Sequence, residues 1–320
     1  MSVAFIFPGQ GSQAVGMGKA LADTFPVCRA VFAEVDAALG EKLSTILWEG
    51  PPETLTLTEN AQPGLMAVSL AAVRALETEA GMKLEREAAF VAGHSLGEYS
   101  ALAAAGSLTL GDAARLLRIR GRAMQRAVPV GAGAMAALLG LDLEAAAAIA
   151  VEAAQDQVCE AANDNGGGQV VVSGDKAAVE RAIEIAKTKG AKRALMLPVS
   201  APFHCALMRP AAEAMAEALG GVTVRPPAVP LVCNVTARPV TAPEEIVRRL
   251  IEQVTGTVRW RESVSFMASS GVRTFYEVGA GKVLSGLVRR IADSAVGIAV
   301  GAPADLSALQ AARSALNVTT

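Results

Sequence analysis

The chain has 320 residues, 52% of them hydrophobic and 19% charged, with a formal net charge of −2. Such length and apolar content suit one large domain or two unequal ones around a substantial core, and exclude a disordered chain. The small net charge gives no overall nucleic-acid signature, and no uncharged apolar stretch approaches membrane-spanning length.

Val3–Phe7 is predicted as a first strand; the apolar residues from Ser2 lack the basic n-region of a signal peptide. The following Gly9-Gln10-Gly11-Ser12-Gln13-Ala14 fits the G-x-G-x-x-A dinucleotide fingerprint. Gly16 and Gly18 nevertheless interrupt the helix that should start there. The segment around Glu34 and Asp36 reads as helix, not as the end of a second strand bearing a ribose-binding acid. We read a Gly-rich loop that brings backbone N–H groups and the Gln10 amide toward a reaction centre.

Ala88–Ala92 is a short apolar run that ends in Gly93-His94-Ser95-Leu96-Gly97, and an Ala-rich, helix-forming segment follows. This is the strand–turn–helix context of a nucleophile elbow. Gly93 and Gly97 allow a sharp turn and close approach of strand and helix, which exposes the Ser95 hydroxyl. The Leu96 backbone N–H, at the start of the helix, points where an oxyanion would form. His94 is adjacent to Ser95, where successive side chains diverge, and is read as structural.

A helix is predicted over Asp112–Arg126. At about 100° per residue, Arg115, Arg118, Arg122 and Arg126 share one face, expected to be solvated. Arg120 falls on the opposite face with Ala113, Leu117 and Met124. A buried arginine needs a partner, so it either pairs with an internal carboxylate or awaits an anionic substrate.

Between about 128 and 198 the rhythm changes. A strand at Ala134–Gly140 and a helix at Leu143–Gln155 come first. Strands at Val158–Ala162 and Gln169–Val172 then flank the turn-rich residues 163–168, followed by a helix at Lys176–Lys187 and a strand at Arg193–Val199. This β-α-β-β-α-β order is the ferredoxin-like pattern. It predicts a small domain, 128–198, inserted into a large discontinuous one, 1–127 and 199–320, with Pro129 and Pro198 near the joints. Lys187, Lys189, Lys192 and Arg193 form a basic cluster at its end, a solvated face by default and, as an alternative, one that attracts phosphates or an acidic partner.

Strands at Leu231–Val235, Thr274–Val278 and Ala295–Val300, and a helix capped near Thr241 running through Ile246, Leu250 and Val254, complete the expectation. The large domain is α/β with a largely parallel sheet. Cys28, Cys159, Cys205 and Cys233 are widely separated with no metal-ligand spacing, as reduced thiols of a cytoplasmic protein would be. A serine nucleophile needs a base, and the chain holds only two histidines. By elimination the base is His204, on a loop after a predicted strand. No particular Asp or Glu stands out as a third member; a backbone carbonyl can orient the imidazole instead.

Several segments, in order and over nearly the full chain, closely resemble the malonyl-CoA:acyl-carrier-protein transacylase family. They are Phe7–Gln13, Gly93–Tyr99, Arg120-Gly121 with Met124-Gln125, Phe203–Met208, Asn234-Val235-Thr236 and Glu277–Leu284. The resemblance implies an α/β-hydrolase-like large domain carrying a ferredoxin-like small one. It implies Ser95 as nucleophile, His204 as base and Arg120 as holder of the malonyl carboxylate. Gln10 and the Leu96 N–H would serve the oxyanion, and by family position the Gln253 carbonyl would orient His204. Phe203 resembles the malonyl-selecting version of its motif. Malonyl-CoA and holo acyl carrier protein would be the partners, in cytoplasmic fatty-acid biosynthesis, with no metal or redox cofactor. A serine hydrolase or thioesterase would use the same elbow and base, and a carrier-binding module would need neither.

Overall fold

Ala4, Phe5, Ile6 and Phe7 are all buried. Strand β1 (Ser2–Phe7) therefore has no solvent face, as a central parallel strand requires. The computed structural model describes residues 2–318. The other strands are β2 (Ala88–Gly93), β3 (Gly133–Leu139), β4 (Cys159–Gly166), β5 (Gln169–Asp175), β6 (Arg193–Met196), β7 (Leu231–Val232), β8 (Pro239–Val240), β9 (Val272–Val278) and β10 (Val296–Val300). Six of them form one sheet in the order β10-β9-β1-β2-β7-β8, parallel except for the last pair. Phe5, Phe7 and Val91 face the core made with helices Thr58–Glu79, Gly97–Ala104 and Leu110–Ala127. Ala4, Ile6 and Phe275 face helices Trp260–Ser269 and Val283–Ile291.

The second sheet, β4-β5-β3-β6, is antiparallel throughout. Helices Leu143–Ala154 and Lys176–Thr188 cover one face through Ile149, Val179 and Ala182. Its other face turns Met135, Ala137 and Val171 into the core of the large sheet. The expected α/β architecture with a β-α-β-β-α-β unit is what the chain adopts.

Several local expectations need correction. β4 runs on through Asn163, Asp164 and Asn165, which the composition had suggested as turn. Their polarity is satisfied by a second neighbour: Asp164 N–H donates to the Val258 carbonyl at 2.9 Å, and Arg261 Nε donates to Asp164 Oδ2 at 2.7 Å. Only Gly167 and Gly168, both at positive φ, are left to make the turn. β6 stops at Met196 and β7 at Val232, where the chain turns through Cys233–Ala237 into β8. The helix after β8 spans Pro243–Gln253 with Ala242, not Thr241, at its N-cap. No helix among the described residues is long and apolar enough to cross a membrane.

β1 and β2 are neighbours with Phe7 opposite Gly93, and the His94 N–H donates to the Phe7 carbonyl at 3.0 Å. The Gly-rich loop and the elbow therefore leave the sheet side by side at the carboxyl ends of its strands, where open α/β sheets place ligands. A Cβ at Gly93 would lie 1.9 Å from the Gly97 carbonyl carbon. Gly93→Ala should accordingly destabilise the fold by about 3 kcal/mol or more, the upper end of overpacking costs. Urea unfolding checks this; an unchanged midpoint would show that strand and helix separate freely.

Candidate active site

Ser95 occupies the turn between β2 and helix Gly97–Ala104 at φ +53°, a left-handed conformation that a non-glycine residue rarely adopts. Asn234 holds the bend from behind. Its Oδ1 accepts the Ser95 N–H at 2.8 Å, and its Nδ2 donates to the Gly93 carbonyl at 2.7 Å. Gly97 fits only because it has no Cβ, which would meet the Phe7 carbonyl oxygen at 2.4 Å.

His204 lies on the loop after β6, also at positive φ, +59°. Its Nε2 is 2.7 Å from Ser95 Oγ, and its Nδ1 is 2.9 Å from the Gln253 carbonyl oxygen. A carbonyl only accepts, so the proton sits on Nδ1 and the Nε2 lone pair faces the serine hydroxyl. Burial, then the nearby Arg120 charge, push the imidazole pKa down to about 3. His94 is directed elsewhere: its Nε2 meets Asn165 Oδ1 at 2.9 Å and its ring packs near Trp260.

Arg120 is 1% exposed. Nη1 donates to Gln62 Oε1 at 2.7 Å, and Nη2 donates to Gln253 Oε1 at 2.9 Å and to Ser95 Oγ at 3.1 Å. The Tyr99 ring lies 5.8 Å from its guanidinium carbon. Among the described residues no carboxylate comes within ion-pair distance of it. Every direct partner is neutral, yet an arginine stays charged even when buried. The solvated stripe expected on the other face of this helix is only partly so. Arg118 is buried, because the loop around Glu41 and the start of helix Thr58–Glu79 fold over it. It pairs with Glu41 and donates to the Glu59 carbonyl at 2.7 Å.

These groups border a cavity of about 370 Å³ between the two sheets. Gln10, Ser95, Leu96, Arg120 and His204 line it from the large sheet's side, Met135, Asn165 and Val171 from the small sheet's. Gln10 Oε1 accepts from Thr58 Oγ1 at 2.8 Å, and Thr58 accepts from Gln62 Nε2 at 2.8 Å. Gln253 lies behind the cavity wall and reaches it through His204 and Arg120. Phe203 lines the cavity next to His204. Asn234, Gln62 and Glu98 join this network without having been singled out. Asn234 and Glu98 stand inside segments noted in the sequence, whereas nothing local marks Gln62. In the basic cluster, Lys187 is paired with Glu184 and Lys189 with Glu152.

The family model described as acyl transferase domain matches residues 4–307. The chain belongs to the acyl transferase family. It is 47% identical over 305 residues to the malonyl CoA-acyl carrier protein transacylase of Escherichia coli strain K12, covering 95% of this chain and 97% of that one. The namesake of Bacillus subtilis strain 168 is 46% identical over 302 residues, 94% of either chain. The crystal structure of acyl-carrier-protein-S-malonyltransferase from Bartonella henselae superposes with a TM-score of 0.94 at 56% identity, over 98% of this chain and 99% of that one. A type II PKS acyl-carrier protein in complex with its malonyl-transacylase matches with a TM-score of 0.94 at 43% identity, over 98% and 100% of the chains.

Both imidazoles have pKa values lowered chiefly by burial. The unfolded chain therefore binds these protons more tightly than the folded acyltransferase, and stability should fall as pH drops below 6.5. An NMR titration should find both imidazoles still neutral when the pH has passed down through 6.5. A His204 midpoint near 6.5 would show that its environment is wet.

Proposed function

We propose that the protein transfers a malonyl group from coenzyme A to the phosphopantetheine thiol of acyl carrier protein through a malonyl-serine intermediate, in cytoplasmic fatty-acid biosynthesis. Ser95 is the nucleophile and His204 the base. As Oγ attacks the thioester carbonyl, its proton passes to Nε2, and the Gln253 carbonyl holds the Nδ1–H of the imidazolium. The Leu96 N–H and the Gln10 amide receive the oxyanion. Collapse breaks the C–S bond, and the coenzyme A sulfur leaves with the proton from Nε2. In the second half the carrier's thiol gives its proton to His204 and its sulfur attacks the ester, and Ser95 leaves with that proton. No metal or redox cofactor takes part. The proposed large domain (1–127 and 199–320) supplies the reacting groups, and the small one (128–198) closes the cavity over them.

What supports a malonyl substrate above all is Arg120, a buried cation with neutral partners only, 3.1 Å from Ser95 Oγ. A bidentate carboxylate would complete its pairing. The relatives' names point the same way.

Intact-mass measurement after adding malonyl-CoA alone should show one malonyl adduct, absent in Ser95→Ala, and holo acyl carrier protein should discharge it. An adduct that decays to water equally fast without carrier would mark a hydrolase. Arg120→Ala should lose malonyl transfer by about 10²–10⁴-fold, the scale of an interrupted buried charge pair. It should also narrow or reverse the preference over acetyl-CoA, with Arg120→Lys rescuing only partly. A folded Arg120→Ala with the parent's malonyl-to-acetyl ratio would remove the basis for this substrate.

A further inference from the structure

The Gln253 side chain makes more contacts than the orientation of His204 requires, and they lead to a carboxylate that no step of the transfer uses. Its Oε1 accepts from Arg120 Nη2 at 2.9 Å. Its Nε2 donates to the Ser95 carbonyl at 2.9 Å and to Glu98 Oε2 at 2.5 Å, with Asn234 Oδ1 at 3.3 Å. Every neighbour of the nitrogen is an acceptor and the neighbour of the oxygen is a donor. A flipped amide would set its oxygen against three oxygens and its N–H groups against the guanidinium. The orientation is dictated by chemistry, and of the three acceptors only Glu98 can carry a charge.

Glu98 sits in the first turn of the elbow helix and is 1% exposed. Its other oxygen accepts the Asn234 backbone N–H. No Lys or Arg pairs with it among the described residues. Burial pushes its carboxyl pKa up to about 8, opposed by the Asn234 and Gln253 hydrogen bonds and then by the charge of Arg120, on the far side of the Gln253 amide. A carboxylate placed directly on Arg120 would occupy the N–H groups that a ligand needs. Set one amide away, it fixes the amide that holds Arg120 Nη2 and leaves the guanidinium charge and its other N–H groups to a ligand.

We infer that Glu98 is a positioning residue for Arg120, acting through the Gln253 side-chain amide so that the guanidinium is aimed at an incoming carboxylate. This rests on Arg120 being the holder of the substrate carboxylate.

The readout is the ratio of kcat/KM for Ser95 acylation by malonyl-CoA to that by acetyl-CoA, in Glu98→Gln, Gln253→Met and the double variant. Folding is checked by circular dichroism and thermal melting. Glu98→Gln should lower the ratio about tenfold, the scale of one lost buried hydrogen bond, mainly through a raised KM for malonyl-CoA. The double variant should fall no lower than Gln253→Met alone, since the effect passes through that amide. An unchanged ratio, or an equal loss for both substrates, overturns the inference. If Glu98→Gln does not fold, Glu98→Asp, which keeps the carboxyl group but withdraws it by one methylene, is held to the same fall in ratio. Arg120→Ala separates the two levels. If it leaves the ratio unchanged, the role of Arg120 itself falls; if it collapses the ratio while Glu98→Gln does not, only the relay falls.

Discussion

A permanent positive charge removed from water and met only by neutral groups is the constraint around which this molecule is arranged. Arg120 is held by two amide oxygens, from Gln62, which lines the cavity, and Gln253, behind its wall. The Gln62 arm continues through Thr58 to Gln10, on the loop after β1. The Gln253 arm continues to His204 through its main chain and to Glu98 through its side chain. One cation thus ties the Gly-rich loop to His204, and amides satisfy it without cancelling its charge. There is an electrostatic corollary. Burial first, and Arg120 second, disfavour an imidazolium at His204. A carboxylate bound to Arg120, as proposed for the substrate, would weaken the second influence and favour the imidazolium that the proposed proton transfer forms.

The sheets place these groups with little freedom. Parallel pairing of β1 and β2 sets the Gly-rich loop beside the elbow, and β7 on the far side of β2 delivers Asn234 to the back of the bend. The second sheet contributes a wall and little chemistry. Its β4 edge is tied to the large sheet's side at Val258 and Arg261, and Asn165 reaches His94. The cavity roof is therefore fastened beside Ser95, not only through the chain crossings near 128 and 198.

Much of this was legible because it is local. The elbow is written in consecutive residues, and its glycines are demanded by contacts of 1.9 Å and 2.4 Å that no side chain survives. The opposition of Arg120 to its neighbours follows from helix geometry alone. Periodicity could not tell that Arg118 is buried too, because the cover comes from Glu41 and Glu59, distant in sequence. β4 escaped for a similar reason: Asn163-Asp164-Asn165 has turn composition, and only a partner near residue 258 makes it strand. Asn234 and Glu98 stand inside legible segments, but their contacts do not show there, and Gln62 leaves no local trace at all, since a polar side chain linking two buried groups is defined by what the fold brings to it.

Ser95 and His204 share the left-handed backbone at φ +53° and +59°, a state that costs a side-chain-bearing residue about 1–3 kcal/mol. Glycine at either place would relax the chain and, with the same change, remove the hydrogen bond between Ser95 Oγ and His204 Nε2. The most relaxed backbone here is thus one in which the two side chains no longer meet.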